Sequence, residues 1–465
     1  MISTLLPARV WAKAEFGGVR LSDVRRERRL VKLASALALT PSGTLPGALS
    51  GWAELKGAYR LLSNPDVSYD KLMSPHWEKT AAACRESGEF LLVEDTTSLD
   101  FTTHESTDDL GRIGNDSGRG LHLHSTLALR IESWDDAQVP AVTIVGLLGQ
   151  QWWARMGPPR KKDETSQERL ARSRESERWA RVFEGARPSE AARWTYVADR
   201  ESDIYEVFER CSSSAVGLLV RACRPRTLEK ENGSVFDAVA QAPLLGQFTL
   251  DLRARPGAST RTARLEVRAK TVTLRGPKRP GRQPDPISVN VVEAREIKAP
   301  SGAEPIHWVV LTSWPCATFA EARRAIGAYS RRWLIEEYHK ALKTGVGIEK
   351  SQLTSAAQIT SLLGILGVIA LRLLNTKLLA AARPDERIAP ECFDAGTLQI
   401  LETTSKKPPK GWTHRTILIA IARLGGFLAR KGDGDPGWIT IWRGWQRVSL
   451  MAAGFDAAMI SQRCG

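Results

Sequence analysis

Two short apolar runs, each leading into an aspartate, constrain this chain more than any other feature of its sequence. Phe90-Leu91-Leu92-Val93 leads into Glu94-Asp95, and the run from Trp194 to Ala198 leads into Asp199. Apolar runs of that length, the second broken only by Thr195, read as buried strands. Residues 121–129 alternate apolar and polar side chains and read as a second strand, 139–148 as a third, and 216–221 as another. Helical patterns cover residues 167–184 and 203–211. Three meandering strands followed by alternating helix and strand predict a mixed α/β layer.

The flanks read differently. The first ~70 residues are helical in pattern. Ser22 or Asp23 is placed to cap a helix in which Leu30, Ala34 and Leu37 recur at helical spacing, with Arg25, Arg28, Arg29 and Lys32 elsewhere on it. A further helix spans residues 52–62 and is stopped by Asn64-Pro65. From about 230 to 300 every pattern is strand, broken by a basic loop over residues 276–286 that holds four prolines. A strand at 307–312 and a long helix over 319–344 follow, and helices dominate from there, including 416–430 and a Trp-rich stretch at 438–445. The apolar run at 362–374 is interrupted by Arg372 and is shorter than the ~20 residues a membrane span needs, so it reads as a buried helix, with no membrane implied. Residues 405–410 form a basic loop.

Composition enters as an argument about partners. Lys and Arg number 66 against 52 Asp and Glu, a formal charge of +14. That excess favours a polyanion, because neutralising phosphates releases condensed counterions. Six cysteines (84, 211, 223, 316, 392 and 464) form no CxxC pair, which speaks against zinc and against a disulfide framework. The N-terminus carries no long apolar stretch of the kind a signal peptide needs. Reduced, mostly buried thiols in a cytosolic protein are the expectation.

The chemistry sits in three carboxylates. Asp95 and Asp199 follow strands, and a third comes from the helix Y-S-R-R-W-L-I-E-E-Y-H-K-A-L-K. There Tyr329, Arg332, Glu336 and Lys343 lie at offsets 0, 3, 7 and 14, one stripe of a helix. Oxygen donors of this kind suit magnesium, and paired ions about 3.5–4 Å apart run many phosphoryl transfers. Singly the pieces are weak. A strand-end aspartate is more often a turn or a cap, and an Arg–Glu pair at i,i+4 more often a surface salt bridge. The combination is far more specific.

At these residues the sequence resembles a known family. Y-(2)-R-(3)-E-(6)-K, here Tyr329, Arg332, Glu336 and Lys343, resembles the signature of the DDE transposases of the insertion-sequence-4 family. D-R-E-S-D at 199–203 and E-D-T-T-S-L at 94–99 are similar to its other motifs. G-A-Y-R at 57–60, N-P-D-V at 64–67, L-T-S at 311–313 and A-I-A-R-L-G-G-F at 420–427 extend the likeness, to the transposon-five type in particular, over most of the chain.

The resemblance implies an α/β, ribonuclease-H-like mixed-sheet catalytic core with a β-strand insertion, flanked by helical N- and C-terminal domains. The implied divisions are 1–70 for DNA binding, 71–375 for catalysis with the insertion at about 230–305, and 376–465 for dimerisation. It makes Asp95, Asp199 and Glu336 catalytic ligands of two Mg²⁺ ions, with Mn²⁺ as a substitute. Tyr329, Arg332 and Lys343 would contact DNA, with Arg60 on the N-terminal helices and Arg221 after its strand; His339, one turn after Glu336, and Lys340 beside it are further candidate contacts, with simple solvation the other reading of His339. Trp308 would stack on a flipped base. The implied partners are double-stranded transposon ends, target DNA and a second copy of the chain.

Departures are visible. The family's tryptophan pair before His-Ser is replaced by Leu121-His122-Leu123 before His124-Ser125, and the insertion and residues 381–410 match poorly. His122 and His124 read as ordinary sheet residues, and Trp152-Trp153 and the tryptophans at 438–445 as packing. Two other readings stay open: a catalytically idle DNA-binding protein derived from a transposase, and a ribonuclease-H-like repair nuclease. The intact carboxylates speak against the first, and the Tyr-Arg-Glu-Lys stripe against the second.

Overall fold

The computed structural model describes residues 7–40, 44–49, 51–114, 117–156, 175–252, 260–278, 283–389, 395–405, 408, 410–430 and 432–464. Among these, one ten-stranded sheet organises the molecule. Strand β1 (Gly88–Asp100) has β3 (Gly118–Trp134) antiparallel on one side and β5 (Ala192–Ala198) parallel on the other, and β6 (Gly217–Arg221) runs parallel to β5. β2 (Gly111–Ile113) and β4 (Pro140–Trp153) line the other edge of β3. Three antiparallel strands followed by two parallel ones make a ribonuclease-H-like core, the mixed α/β layer that the sequence predicts.

The insertion is a continuation of the sheet and not a separate module. β10 (His307–Thr312) pairs antiparallel with β6, and β9 (Ile287–Glu296), β8 (Arg261–Leu274) and β7 (Leu244–Leu252) extend it as a meander. The all-strand reading of residues 230–300 needs a correction. Ser234 and Asp237 form a capping box that starts a short helix, Val235–Ala240, because each satisfies a backbone N–H of the other's turn.

Helices cover both faces. Four N-terminal helices, α1 (Ala8–Phe16), α2 (Val24–Leu39), α3 (Leu45–Ala48) and α4 (Trp52–Leu62), precede α5 (Tyr69–Cys84), and their apolar faces merge into the core beneath one side of the sheet. Asp23 is the α2 cap, accepting the Arg25 N–H at 2.8 Å. α6 (Tyr205–Ser213), α7 (Val235–Ala240) and two short turns at Glu175–Arg178 and Arg181–Glu184 cover the opposite face. These turns replace the second half of the helix expected at 167–184, and its first half lies outside the described residues. So do parts of both basic loops, at 279–282, 406–407 and 409.

The long helix expected at 319–344 is jointed. α8 (Phe319–Ser330) and α9 (Trp333–Lys340) meet at Arg331-Arg332, and a π turn, Ala341–Gly345, follows. At the joint the Arg332 N–H bonds back three residues to the Tyr329 carbonyl, at 2.9 Å. α10 (Ala356–Ala382) is 27 residues long, longer than the apolar run suggested, and long and apolar enough to cross a membrane by length and composition. It is nevertheless packed inside the core, and its Arg372 lies 5.1 Å from the Trp11 ring of α1. α11 (Ala395–Thr404), α12 (His414–Leu424) and α13 (Trp438–Cys464) complete the chain, and a satellite core of Ile388, Leu401, Ile417 and Val448 holds them together.

Candidate active site

Strand alternation decides which side chains meet. On β1, Phe90 and Leu92 join the core under α6, and Leu91, Val93 and Leu99 join the core under α8 to α10. Asp95 therefore faces α9 and its neighbour Glu94 faces away. On the same reasoning Asp199 follows Val197 onto the α9 side, and Arg221 follows Leu219.

Register then aligns them. β5 pairs with β1 as far as Val93–Val197, and β6 pairs with β5 as far as Ala198–Val220. Asp95 does not end its strand, as the sequence suggested. β1 runs on to Asp100, held by β3, and Asp95 lies just where it outruns β5. A row of Asp95, Asp199 and Arg221 results where the pairing of the three parallel strands runs out on their carboxyl side, the edge where open α/β sheets bind ligands.

The helical stripe closes over this row. The Arg332 guanidinium lies 3.8 Å from Asp95 and also hydrogen-bonds Glu336. Gly327 lets α8 pack on the turn of the β3–β4 hairpin, because a Cβ there would meet the Gln138 carbonyl oxygen at 1.9 Å. Arg331 and Arg323 fasten the same hairpin by donating to the Pro140 and Ala137 carbonyls, at 2.8 and 2.7 Å. α9 is seated by a buried polar chain. Gln150 donates to Ser125 at 2.8 Å and to the Tyr338 hydroxyl at 3.1 Å, and accepts from Tyr69 at 2.8 Å. Ser125 is the cross-strand partner of Asp95.

Charge in the site is frustrated. Burial pushes the Asp95 carboxyl up, and the nearby Asp199 and Glu336 add to it. The Thr96 N–H, at 2.8 Å, and Arg332 oppose them, and the balance stands at about 7. Asp199 accepts the Glu201 N–H at 3.0 Å as the cap of a short helical turn. Burial raises the Tyr329 phenol, with Arg332 and Arg221 opposing and Asp199 adding to it. Burial lowers the Arg221 guanidinium, which donates to the His307 carbonyl at 3.0 Å.

Three carboxylates are the donor set that magnesium prefers. Among the described residues no three His, Cys, Asp or Glu are assembled to hold a metal ion as they stand. The charge of Arg332 instead lies between Asp95 and Glu336, whose side chain is 55% exposed. The donor chemistry fits a cation, and the guanidinium is the group that would have to yield.

The remaining residues singled out from sequence divide into two groups. Trp308 is half-buried on β10, its ring 6.5 Å from Tyr329 at 63°, beside the carboxylate row. Lys340 is exposed on α9, and Arg60 is exposed on α4 in a basic concavity with Arg25, Arg26, Arg29 and Lys56. Lys343 lies further along, 3.7 Å from Glu349, which accepts the Asp100 N–H at 2.9 Å. It therefore serves the far end of β1. His339 departs from its expected role. It is buried, 3.4 Å from the Ser125 hydroxyl, and burial lowers its imidazole to about 3. A neutral, enclosed ring of this kind seats the helix and offers phosphate no charge.

His122 and His124 are sheet residues in hydrogen bonds with Ser98 and Thr96, at 3.3 and 2.9 Å. Sequence reasoning missed Asp203. It is fully buried, accepts the Cys223 and Arg224 N–H groups at 2.7 and 2.9 Å, and pairs with Arg226. It thus pins the chain leaving β6 to the Asp199 turn. The signal was the second aspartate of D-R-E-S-D.

Two family models match the chain. Residues 8–67 match the one described as transposase DNA-binding, which covers α1 to α4. Residues 371–463 match the one described as transposase Tn5 dimerisation domain, which begins inside α10 and runs through α13.

Proposed function

This chain is a Tn5-like transposase with a DNA-binding and a dimerisation region, and we propose that it is a cut-and-paste enzyme whose cleavage site is the cluster of Asp95, Asp199 and Glu336. The observation that carries the proposal is Arg332, which lies 3.8 Å from Asp95 and is paired with Glu336, with Asp199 near enough to raise the Asp95 carboxyl. Two Mg²⁺ ions, or Mn²⁺ in their place, would be held by those carboxylates and supply an activated water or 3′-hydroxyl and a stabilised leaving oxygen.

The chain's own residues do the rest. Arg332, freed from Asp95 and Glu336, grips the phosphate next to the cut, and Arg221 and the Tyr329 hydroxyl flank it. Lys340 on α9 and Lys343 on the π turn that follows it track the strand. Trp308 receives a flipped base, which lets the freed 3′-hydroxyl reach the opposite strand and close a hairpin, later reopened for insertion into target DNA. Fixed geometry and electrostatics account for most of the acceleration. Two copies pair through the C-terminal region and hold two inverted-repeat ends.

The test uses an end-bearing duplex with magnesium. Asp95→Ala, Asp199→Ala and Glu336→Ala are each expected to bind the end as well as wild type and to cut it at least about a thousand-fold more slowly, roughly 4 kcal/mol of barrier. Normal cutting by any one of them removes that residue from the site. An inert wild-type protein that still binds ends would support the reading of an idle DNA-binding descendant.

A further inference from the structure

Glu337 stands next to Glu336 but turns the other way. Its side chain is 15% exposed, against 55% for Glu336. One carboxylate oxygen accepts both the Trp438 indole N–H, at 2.6 Å, and the Lys377 ammonium, at 2.8 Å. The ammonium in turn lies 4.7 Å from the centre of the Trp438 ring. Lys377 belongs to α10 and Trp438 opens α13, so both lie in the region that matches the dimerisation family. Trp438 is also buried in the main core, where it is the C-terminal helix's point of entry.

We propose that Glu337 is a positioning residue: it ties the short helix carrying Glu336 to the dimerisation region, so that pairing of two copies sets the geometry of the cleavage site. α9 is eight residues long, with the Arg331-Arg332 joint before it and the π turn after it. So short an element takes its pose from a few side chains. Tyr338 and Arg332 fix it to the sheet, through Gln150 and Asp95. Glu337 fixes it to α10 and α13, and the π turn also packs on α13. A shift of α13 on pairing is therefore delivered one residue from Glu336. A partly buried carboxylate with two charge-assisted or short donors is a stiff link, and a misplacement of about 1 Å in a phosphoryl-transfer site can cost about a hundred-fold in rate.

The inference rests on Glu336 being part of the cleavage site, and the experiment separates the two claims. Full-length Glu337→Gln, Lys377→Met and Trp438→Phe are compared with wild type and with Glu336→Gln. Three quantities are measured: binding to one end, assembly of paired-end complexes, and cutting within isolated paired complexes across a Mg²⁺ titration. Single-end binding should be unchanged. Cutting within assembled complexes should slow by about ten- to a hundred-fold, with half-saturation moved to higher Mg²⁺.

If the variants merely assemble fewer complexes, and those cut at the normal rate with the normal Mg²⁺ dependence, the clamp is glue and the proposal fails. Wild-type behaviour throughout also overturns it. Should Glu337→Gln fail to fold, Trp438→Phe keeps the ring and the Glu337–Lys377 pair and answers the same question. A Glu336→Gln variant that cuts normally would place the failure in the assignment of the site and not in the clamp.

Discussion

Glu94 and Asp95 are consecutive carboxylates on one strand, and they face opposite sides of the sheet. Glu94 is 1% exposed and satisfied: it accepts from the Thr126 hydroxyl and the Ala180 N–H, both at 2.8 Å, and lies 3.3 Å from His124. Asp95 has one backbone N–H and a shared guanidinium, with Asp199 and Glu336 crowding it. A carboxylate with its hydrogen bonds complete holds structure, here by anchoring the turns at 175–184 to the sheet. One kept among like charges at a sheet edge is poised for a cation or a phosphate-gripping arginine to be rearranged around it. Burial alone does not separate the two, and partners do.

The largest effect that could break this contrast is on stability. Glu94→Ala leaves the Ala180 N–H, Thr126 and His124 without this partner and should destabilise the fold by several kcal/mol, about 1–3 for each buried group left unmet. Asp95→Ala relieves crowding and should melt at or above the wild-type temperature while losing cutting. Thermal melts without metal decide it. If Asp95→Ala is the less stable of the two, the site carboxylate is structural and the contrast collapses.

Acidity sharpens the same point. The folded Asp95 carboxyl keeps its proton up to about 7, against ~3.9 in an unfolded chain. The folded state therefore binds more protons between those values, and stability falls as pH rises through the window. Asp95→Asn removes the dependence. Its metal-free gain in stability should be absent near pH 4 and approach its maximum, up to about 4 kcal/mol, above pH 7. A gain that is flat with pH would mean that Asp95 ionises normally.

What could be read in the sequence follows the same division. The strands carrying both aspartates, α4 and β10 were legible because apolar runs and stop signals are local. The joint at Arg331-Arg332 was not, since helical residues continue through it and the break comes from packing on the 135–140 hairpin. Asp95 read as a strand end because the apolar run stops at Val93, while β3 carries the strand on by backbone pairing that leaves no trace in side-chain polarity. His339 sits in a motif that looks like a grip on DNA, and its burial depends on Ser125, distant in sequence. The short helix at 235–240 was missed although its capping box is a local signal.

Trp308 offers a smaller test on the same side of the sheet. A base stacked on an aromatic ring is worth about 1–3 kcal/mol, comparable to the cost of unstacking it. Trp308→Ala should nick an end normally and accumulate nicked DNA in place of hairpin, with partial rescue by an abasic site at the flipped position. Hairpins formed at the normal rate would leave the ring as packing for Tyr329.

The smallest expected effect separates Arg332 from Lys343, the two cations of the stripe. Arg332 sits between two site carboxylates, whereas Lys343 sits beside Glu349 near the far end of β1. Both are assigned to phosphates, so each substitution should lower the slope of log affinity against log salt by about 0.9. Neither needs an active enzyme for the measurement. The two should part in their dependence on metal. With Mg²⁺ or Ca²⁺ present, the carboxylates would be neutralised and Arg332 released to the DNA, so Arg332→Ala should cost more affinity with the cation than without it. Lys343→Ala should cost the same in both, because its neighbour is no proposed ligand. Equal losses for Arg332→Ala with and without cation would mean that the guanidinium never leaves Asp95 and Glu336, and that its place between them is a surface salt bridge and no more.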